Sequence, residues 1–260
     1  MGTSGSLVTR RDLLRSGVLA GAAALLAPLL GDSIAKAQIE GCPTPVPGNC
    51  NSDRPTSPSA ALAELMDGNG RWSTMTQEHP GEDMARRCCV INGQQPFAAI
   101  LSCSDSRVPP ELLFDQGLGD LFPIRVAGNT NTPVGQESLA YAVTGLSTPA
   151  RLLFVLGHQS CGAVSAAVSA YPNPRVPRFV KNIYPAVKSA KKILARTGGN
   201  PDDNSQVMPV AVDQNAILTA LKLSKEKPFR QALSAGTLLV ASGRYDLTTQ
   251  QVTVLSQISD

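Results

Sequence analysis

Four short apolar runs divide the chain: Phe97 to Leu101, Phe122 to Val126, Leu152 to Leu156 and Thr237 to Ala241. Runs of this length suit strands buried in a parallel sheet. Helical patterns lie between and around them. Ser59 to Met75 places Leu62, Leu65 and Met66 at three- and four-residue spacing, and Glu82 to Val90 is closed by Asn92-Gly93. Val134 to Leu146, Gly162 to Ala170 and Phe179 to Arg196 also read as helices, the last with a basic, solvated face at Lys188, Lys191 and Lys192. Gly198 to Gln206 reads as a polar loop, and Gln250 to Leu255 alternates like an edge strand. Strands alternating with helices predict an α/β fold: a single domain with a central, mostly parallel β-sheet flanked by helices. A helical arm precedes it and an antiparallel edge strand ends it.

The N-terminal pattern is different. A basic stretch around Arg10, Arg11 and Arg15 leads into a 13-residue apolar run, Val18 to Leu30, and then Ala35-Lys36-Ala37. This is the layout of a removable export signal, residues 1–37, too short to span a bilayer comfortably. Thr9-Arg10-Arg11-Asp12-Leu13-Leu14 resembles a twin-arginine signal, which implies a periplasmic or secreted protein exported already folded. No stable membrane span is expected after cleavage. Residues 38–58 form a Pro- and Gly-rich arm carrying Cys42 and Cys50, a candidate disulfide in an oxidising compartment. The remaining domain covers residues 59–260.

The 42% hydrophobic content excludes a wholly disordered chain. Net charge is +3, and losing residues 1–37 removes four basic and two acidic residues, leaving +1. That balance offers no electrostatic case for nucleic acid as a partner. Six cysteines are too few for a disulfide scaffold at 260 residues.

Two of the apolar runs end in metal-binding residue types. The first enters Ser102-Cys103-Ser-Asp105-Ser-Arg107; the second enters Gly157-His158-Gln-Ser-Cys161-Gly162. Ligands in open parallel sheets bind at the carboxyl ends of strands, so neighbouring strands would bring Cys103, His158 and Cys161 together. Two thiolates and one imidazole suit Zn2+ and leave a fourth position open, the pattern of a catalytic site. Asp105 could be a fourth ligand in a closed state, or could orient a water while Arg107 keeps it ionised. A disulfide between Cys103 and Cys161 is the competing reading.

These motifs together resemble a β-class carbonic anhydrase. Gly93-Gln-Gln-Pro96, Val108-Pro-Pro-Glu111, Gly119-Asp-Leu-Phe122, Arg125-Val-Ala-Gly-Asn129, Tyr141-Ala-Val143 and Gly243-Arg-Tyr-Asp246 follow the family in order, from about Leu65 to Leu255. The resemblance implies a lyase, carbonate dehydratase, that reversibly hydrates carbon dioxide to bicarbonate and a proton through zinc-bound hydroxide. It implies one Zn2+ per subunit on Cys103, His158 and Cys161, with Asp105 and Arg107 as the catalytic dyad. Gln94, Phe122, Tyr141 and Gly162 match substrate-binding positions; His79 is read either as a proton shuttle or as an exposed loop histidine. A homodimer or higher homo-oligomer is implied, with N-terminal helices wrapping the partner and pockets at the interface.

A subtype of that family closes its site with the aspartate and holds bicarbonate on a Trp, an Arg and a Tyr. Arg125 and Tyr245 fit two of those places, but Ile100 stands where the Trp would be, so an open site is expected. Cys88 and Cys89 are either buried helix residues or oxidised partners of the arm. The alternatives within the fold are hydrolysis of carbon disulfide or carbonyl sulfide, and a non-catalytic zinc-binding member. A serine or thiol hydrolase would need Gly in place of His158 for its nucleophile elbow. Gly117-Leu-Gly119 lacks the third Gly of a dinucleotide fingerprint.

Overall fold

Helix α1, Pro58–Ser73, starts where Ser57 accepts a hydrogen bond from the Ala60 N–H and Pro58 occupies the first turn. It buries Ala61, Leu62 and Leu65. The computed structural model describes residues 54–259; the export-signal segment and the candidate disulfide of Cys42 and Cys50 lie outside the described residues. After α1 come α2 (Met84–Cys89), β1 (Ala98–Ser102), α3 (Pro110–Leu113), β2 (Leu121–Arg125) and α4 (Pro133–Ala140), which runs into a π-turn at Tyr141–Gly145. Then follow β3 (Leu152–His158), α5 (Gly162–Ala170), α6 (Arg178–Thr197), α7 (Asn204–Ser224), α8 (Lys227–Ser234), β4 (Leu239–Tyr245) and β5 (Val252–Ile258).

The five strands form one sheet in the order β2-β1-β3-β4-β5. β1 pairs parallel with both β2 and β3, β3 pairs parallel with β4, and β5 closes the sheet antiparallel to β4. Every residue of β1 and β3 is buried, as their uninterrupted apolar runs require. Their side chains alternate between two cores. Ile100, Phe154 and Leu156 point to a layer built with α1, α3, α5 and α6; Ala99, Leu101, Leu153 and Val155 point to one built with α4 and α8. Helix α7 serves both, with Val207, Ala211 and Val212 in the first core and Ala216, Ala220 and Leu223 in the second.

The structure revises the sequence reading at the C-terminal half. The supposed polar loop ends early: Asp203 accepts from the Ser205 N–H at 2.9 Å and caps α7, so Asn204 to Gln206 form its first turn. Helices α7 and α8 have no counterpart in the sequence reading. β4 lies further along than Thr237 to Ala241, because Ser242 bonds Ser256 across to β5 at 2.7 Å and Arg244 pairs with Asp213 at 2.9 Å. Polar residues satisfied in this way continue a buried strand.

The chain leaves β1 towards β2 on one side, and β3 leads to β4 on the other. The switch point therefore falls between β1 and β3, at their carboxyl ends.

Candidate metal centre

Cys103 follows β1 directly, His158 is the last residue of β3, and Cys161 is the N-cap of α5. β1 and β3 are adjacent, so the two motifs meet. The ligand atoms of Cys103, His158 and Cys161 lie within 4.8 Å of one another, and all three residues are buried.

Local geometry explains how His158 and Cys161 reach one point. Ser160, between them, adopts a left-handed backbone with φ of 55°, which turns the chain sharply. The turn is pinned to β4 and the segment after it: the Gln159 N–H donates to the Tyr245 carbonyl at 2.9 Å, and its Oε1 accepts from the Leu247 N–H at 3.1 Å. His158 Nδ1 stands 2.9 Å from the Gln159 carbonyl. A carbonyl can only accept, so Nδ1 carries the proton and Nε2 presents its lone pair. That Nε2 is buried with no hydrogen-bond partner. A buried, unpaired imidazole nitrogen costs free energy unless something binds it.

Zinc fits these donors. Two thiolates on one tetrahedral zinc, each about 2.3 Å from it, stand about 3.8 Å apart; the Cys103 and Cys161 sulfurs are 3.9 Å apart. Both cysteines are free thiols, so the competing disulfide is not formed. Cys88 and Cys89 are disulfide-bonded, which removes the reading of them as plain packing residues.

The electrostatics already favour a thiolate at Cys103. Cys103 is held well below the usual thiol range, first by a hydrogen bond from the Cys161 thiol, against burial, with help from the Gly128 N–H. Cys161 is pushed up by its bond to Cys103 and by burial. Zinc binding would displace the proton the two sulfurs share.

Asp105 is turned to Arg107. Nε donates to Oδ1 at 2.9 Å and Nη2 to Oδ2 at 2.8 Å, and the Arg107 backbone N–H adds a third bond to Oδ1 at 3.0 Å. The Arg107 side chain therefore holds the carboxyl below the usual carboxylate range, against partial burial. Oδ2 lies 3.9 Å from His158 Nε2, which puts the dyad beside the ligands.

The other candidate residues fall in three places. Gly162 opens α5 beside Cys161, and a Cβ there would meet nothing within 4 Å. Phe122 packs against Tyr141, ring centroids 6.2 Å apart, on the outer strand β2. Phe122 pairs in register with Ala99, so it sits about 13 Å from Cys103 along the strand, at roughly 3.3 Å per residue. Gln94 is exposed before β1, at the amino end of the strands. One chain does not bring these three to the ligands. His79 is exposed, 3.4 Å from Glu82. Tyr245 accepts from Trp72 Nε1 at 3.1 Å.

Sequence reasoning missed the backbone support. Arg125 Nε donates to the Cys103 carbonyl at 3.1 Å, and the Gly128 N–H donates to Cys103 Sγ at 3.3 Å. Asn215 Nδ2 donates to the Gly128 carbonyl at 2.7 Å. Arg125 and Gly128 lie in a motif that the sequence displays; Asn215 has no local signal.

The family model for carbonic anhydrase matches residues 98–252. A carbonic anhydrase of Mycolicibacterium smegmatis is 36% identical over 206 residues, covering 79% of this chain and 97% of that protein. Among solved structures, a Coccomyxa β-carbonic anhydrase in complex with acetazolamide aligns with a TM-score of 0.57 at 24% identity, over 76% of this chain and 88% of its own. One from a study of two tetrameric β-carbonic anhydrases of Sordaria macrospora aligns with a TM-score of 0.56 at 20% identity, over 76% and 98%. The two structures share the fold.

Proposed function

Because the chain belongs to the carbonic anhydrase family, we propose that it catalyses the reversible hydration of carbon dioxide to bicarbonate and a proton. The observation that carries this reading is the convergence of Cys103, His158 and Cys161 at the switch point, with Asp105 locked by Arg107 beside them.

Cys103 Sγ, His158 Nε2 and Cys161 Sγ would hold zinc. Bound there, zinc lowers the pKa of water enough for hydroxide to be available at ordinary pH. Asp105, kept ionised by Arg107, accepts a hydrogen bond and fixes the orientation of the attacking oxygen towards the substrate. Gly162, without a side chain, leaves room beside Cys161. Gln94, Phe122 and Tyr141 line the substrate pocket of a neighbouring subunit rather than their own. An oligomer is therefore part of the proposal, and the tetrameric relatives support it. Asp105 is engaged by Arg107 through both oxygens, which supports the open form of the site.

Export is part of the same reading. The Arg10-Arg11 segment and Ala35-Lys36-Ala37 support passage through the twin-arginine route to the periplasm or beyond. Among the described residues, no helix is long and apolar enough to cross a membrane.

Stopped-flow hydration of carbon dioxide by the purified, zinc-loaded protein tests the activity. Rapid turnover that vanishes in Cys161→Ser, together with loss of zinc, is expected. Stoichiometric zinc with no turnover above buffer overturns the proposal; turnover of carbon disulfide or carbonyl sulfide instead reassigns the substrate.

A further inference from the structure

Gly128 links the metal centre to helix α7 through both of its backbone polar groups. Its N–H donates to Cys103 Sγ at 3.3 Å, and its carbonyl accepts from Asn215 Nδ2 at 2.7 Å. Both bonds are buried, and Asn215 is only 3% exposed. Gly128 has a left-handed backbone, φ 68° and ψ 26°, and Asn129 follows with φ of 42°. Two successive left-handed residues, one of them not glycine, persist only where the surroundings hold them. The carbonyl that Asn215 binds belongs to the peptide joining these two residues. A side chain at Gly128 would be strained at this φ and crowded as well: a Cβ would sit 2.8 Å from Ile183 Cδ1 and 3.0 Å from Ala163 Cβ.

We propose that Asn215 is a positioning residue for the metal centre: by holding the Gly128 carbonyl it fixes the left-handed φ/ψ of Gly128, and so keeps the N–H on the other side of that Cα aimed at the Cys103 sulfur. Without the amide donor, the buried Gly128 carbonyl loses its partner and the turn relaxes away from its left-handed geometry. The N–H then leaves the sulfur. A thiolate that loses an N–H donor is no longer held in orientation, so metal affinity falls; its lone pair also lies higher, so the sulfur-to-metal charge-transfer band moves to lower energy. Arg125 holds the Cys103 carbonyl, and the Asp105 N–H also supports the Cys103 sulfur, so the Gly128 N–H is one of two backbone donors to it. The inference rests on the proposed zinc site but not on turnover.

The test uses Asn215→Leu, which keeps the volume and removes the donor. Zinc affinity is measured by competition with a chelator, and the thiolate-to-cobalt band is measured in the cobalt-substituted protein. A loss of roughly 10- to 100-fold in zinc affinity with a red-shifted band is expected. Leu223→Ala, on the same helix but in the opposite core, destabilises the fold and leaves both readouts at wild-type values. If Asn215→Leu does not fold, Asn215→Ser, too short to reach the carbonyl, decides on the same readouts. An Asn215 variant that loses thermal stability but keeps wild-type affinity and band position overturns the inference and leaves Asn215 as a helix anchor. A wild-type protein that binds zinc but does not hydrate carbon dioxide would sink the proposed function and leave this inference standing.

Discussion

The Asp105–Arg107 pair shows what a single contact does when it is built for orientation. The Arg107 side chain is 51% exposed, and ion pairs so open to water add little to stability. Its two side-chain bonds instead fix the plane of a carboxylate beside the ligands. Arg107→Gln should therefore leave the melting temperature and zinc content close to wild type while kcat/KM for carbon dioxide falls roughly 10- to 100-fold. Stopped-flow assays beside metal analysis check this, and full activity in the variant would show that Asp105 does not need Arg107 to hold it. Cys103, His158, Cys161, Asp105 and Arg107 are all legible in the sequence because side-chain type, strand end and spacing point the same way. The donors behind them are not. The Gly128 N–H is a backbone group that any residue would carry, and Asn215 lies in a segment without a readable period. Gln94, Phe122 and Tyr141 are recognisable by resemblance alone, since nothing within one chain brings them to the metal.

At the scale of elements, close packing is set by where glycine falls. α1 meets the backbone after α3 at Gly68, where an added Cβ would lie 1.8 Å from the Phe114 carbonyl oxygen, whereas at Gly70 it would meet nothing within 4 Å. The same substitution should act with opposite sign two residues apart. Gly68→Ala must push α1 off its neighbour and should cost about 1–3 kcal/mol. Gly70→Ala, exposed in the helix, should stabilise by about 0.5–1 kcal/mol. Thermal or urea unfolding of the two variants measures both, and equal effects would show that α1 packs differently. The same logic of burial explains which elements the sequence reveals. β1 and β3 are buried on both faces and read as plain apolar runs. α7 is also buried, but it faces one core with its first half and the other with its second, so no single stripe marks it. Its polar first turn, capped by Asp203, imitates a loop.

At the scale of the whole molecule, β2 is an outer strand of the sheet among the described residues. β2 ends the sheet with alternating burial, and Pro123 within it has no N–H to offer, as suits an edge strand. Helix α4 packs onto this strand, where Gly135 approaches Ile124 and Val126. Beside that contact Val134 is 73% exposed and Tyr141 is 51% exposed. Apolar side chains left outward next to an edge strand are the makings of a subunit interface. The pocket residues give the same face a second reason to be covered. Phe122 and Tyr141 lie on it, away from their own metal ligands, so a neighbouring subunit would have to receive them. Assembly and activity should then fail together. Light scattering should report a dimer or a larger assembly for the wild type. Val134→Asp places a charge on the face without altering a pocket residue or a ligand, and should shift the protein towards monomer. Zinc content should hold, while carbon dioxide hydration falls at least 10-fold and recovers in part as protein concentration rises. A Val134→Asp monomer with undiminished turnover would mean that each chain completes its own pocket, and Gln94, Phe122 and Tyr141 would lose their place at the substrate.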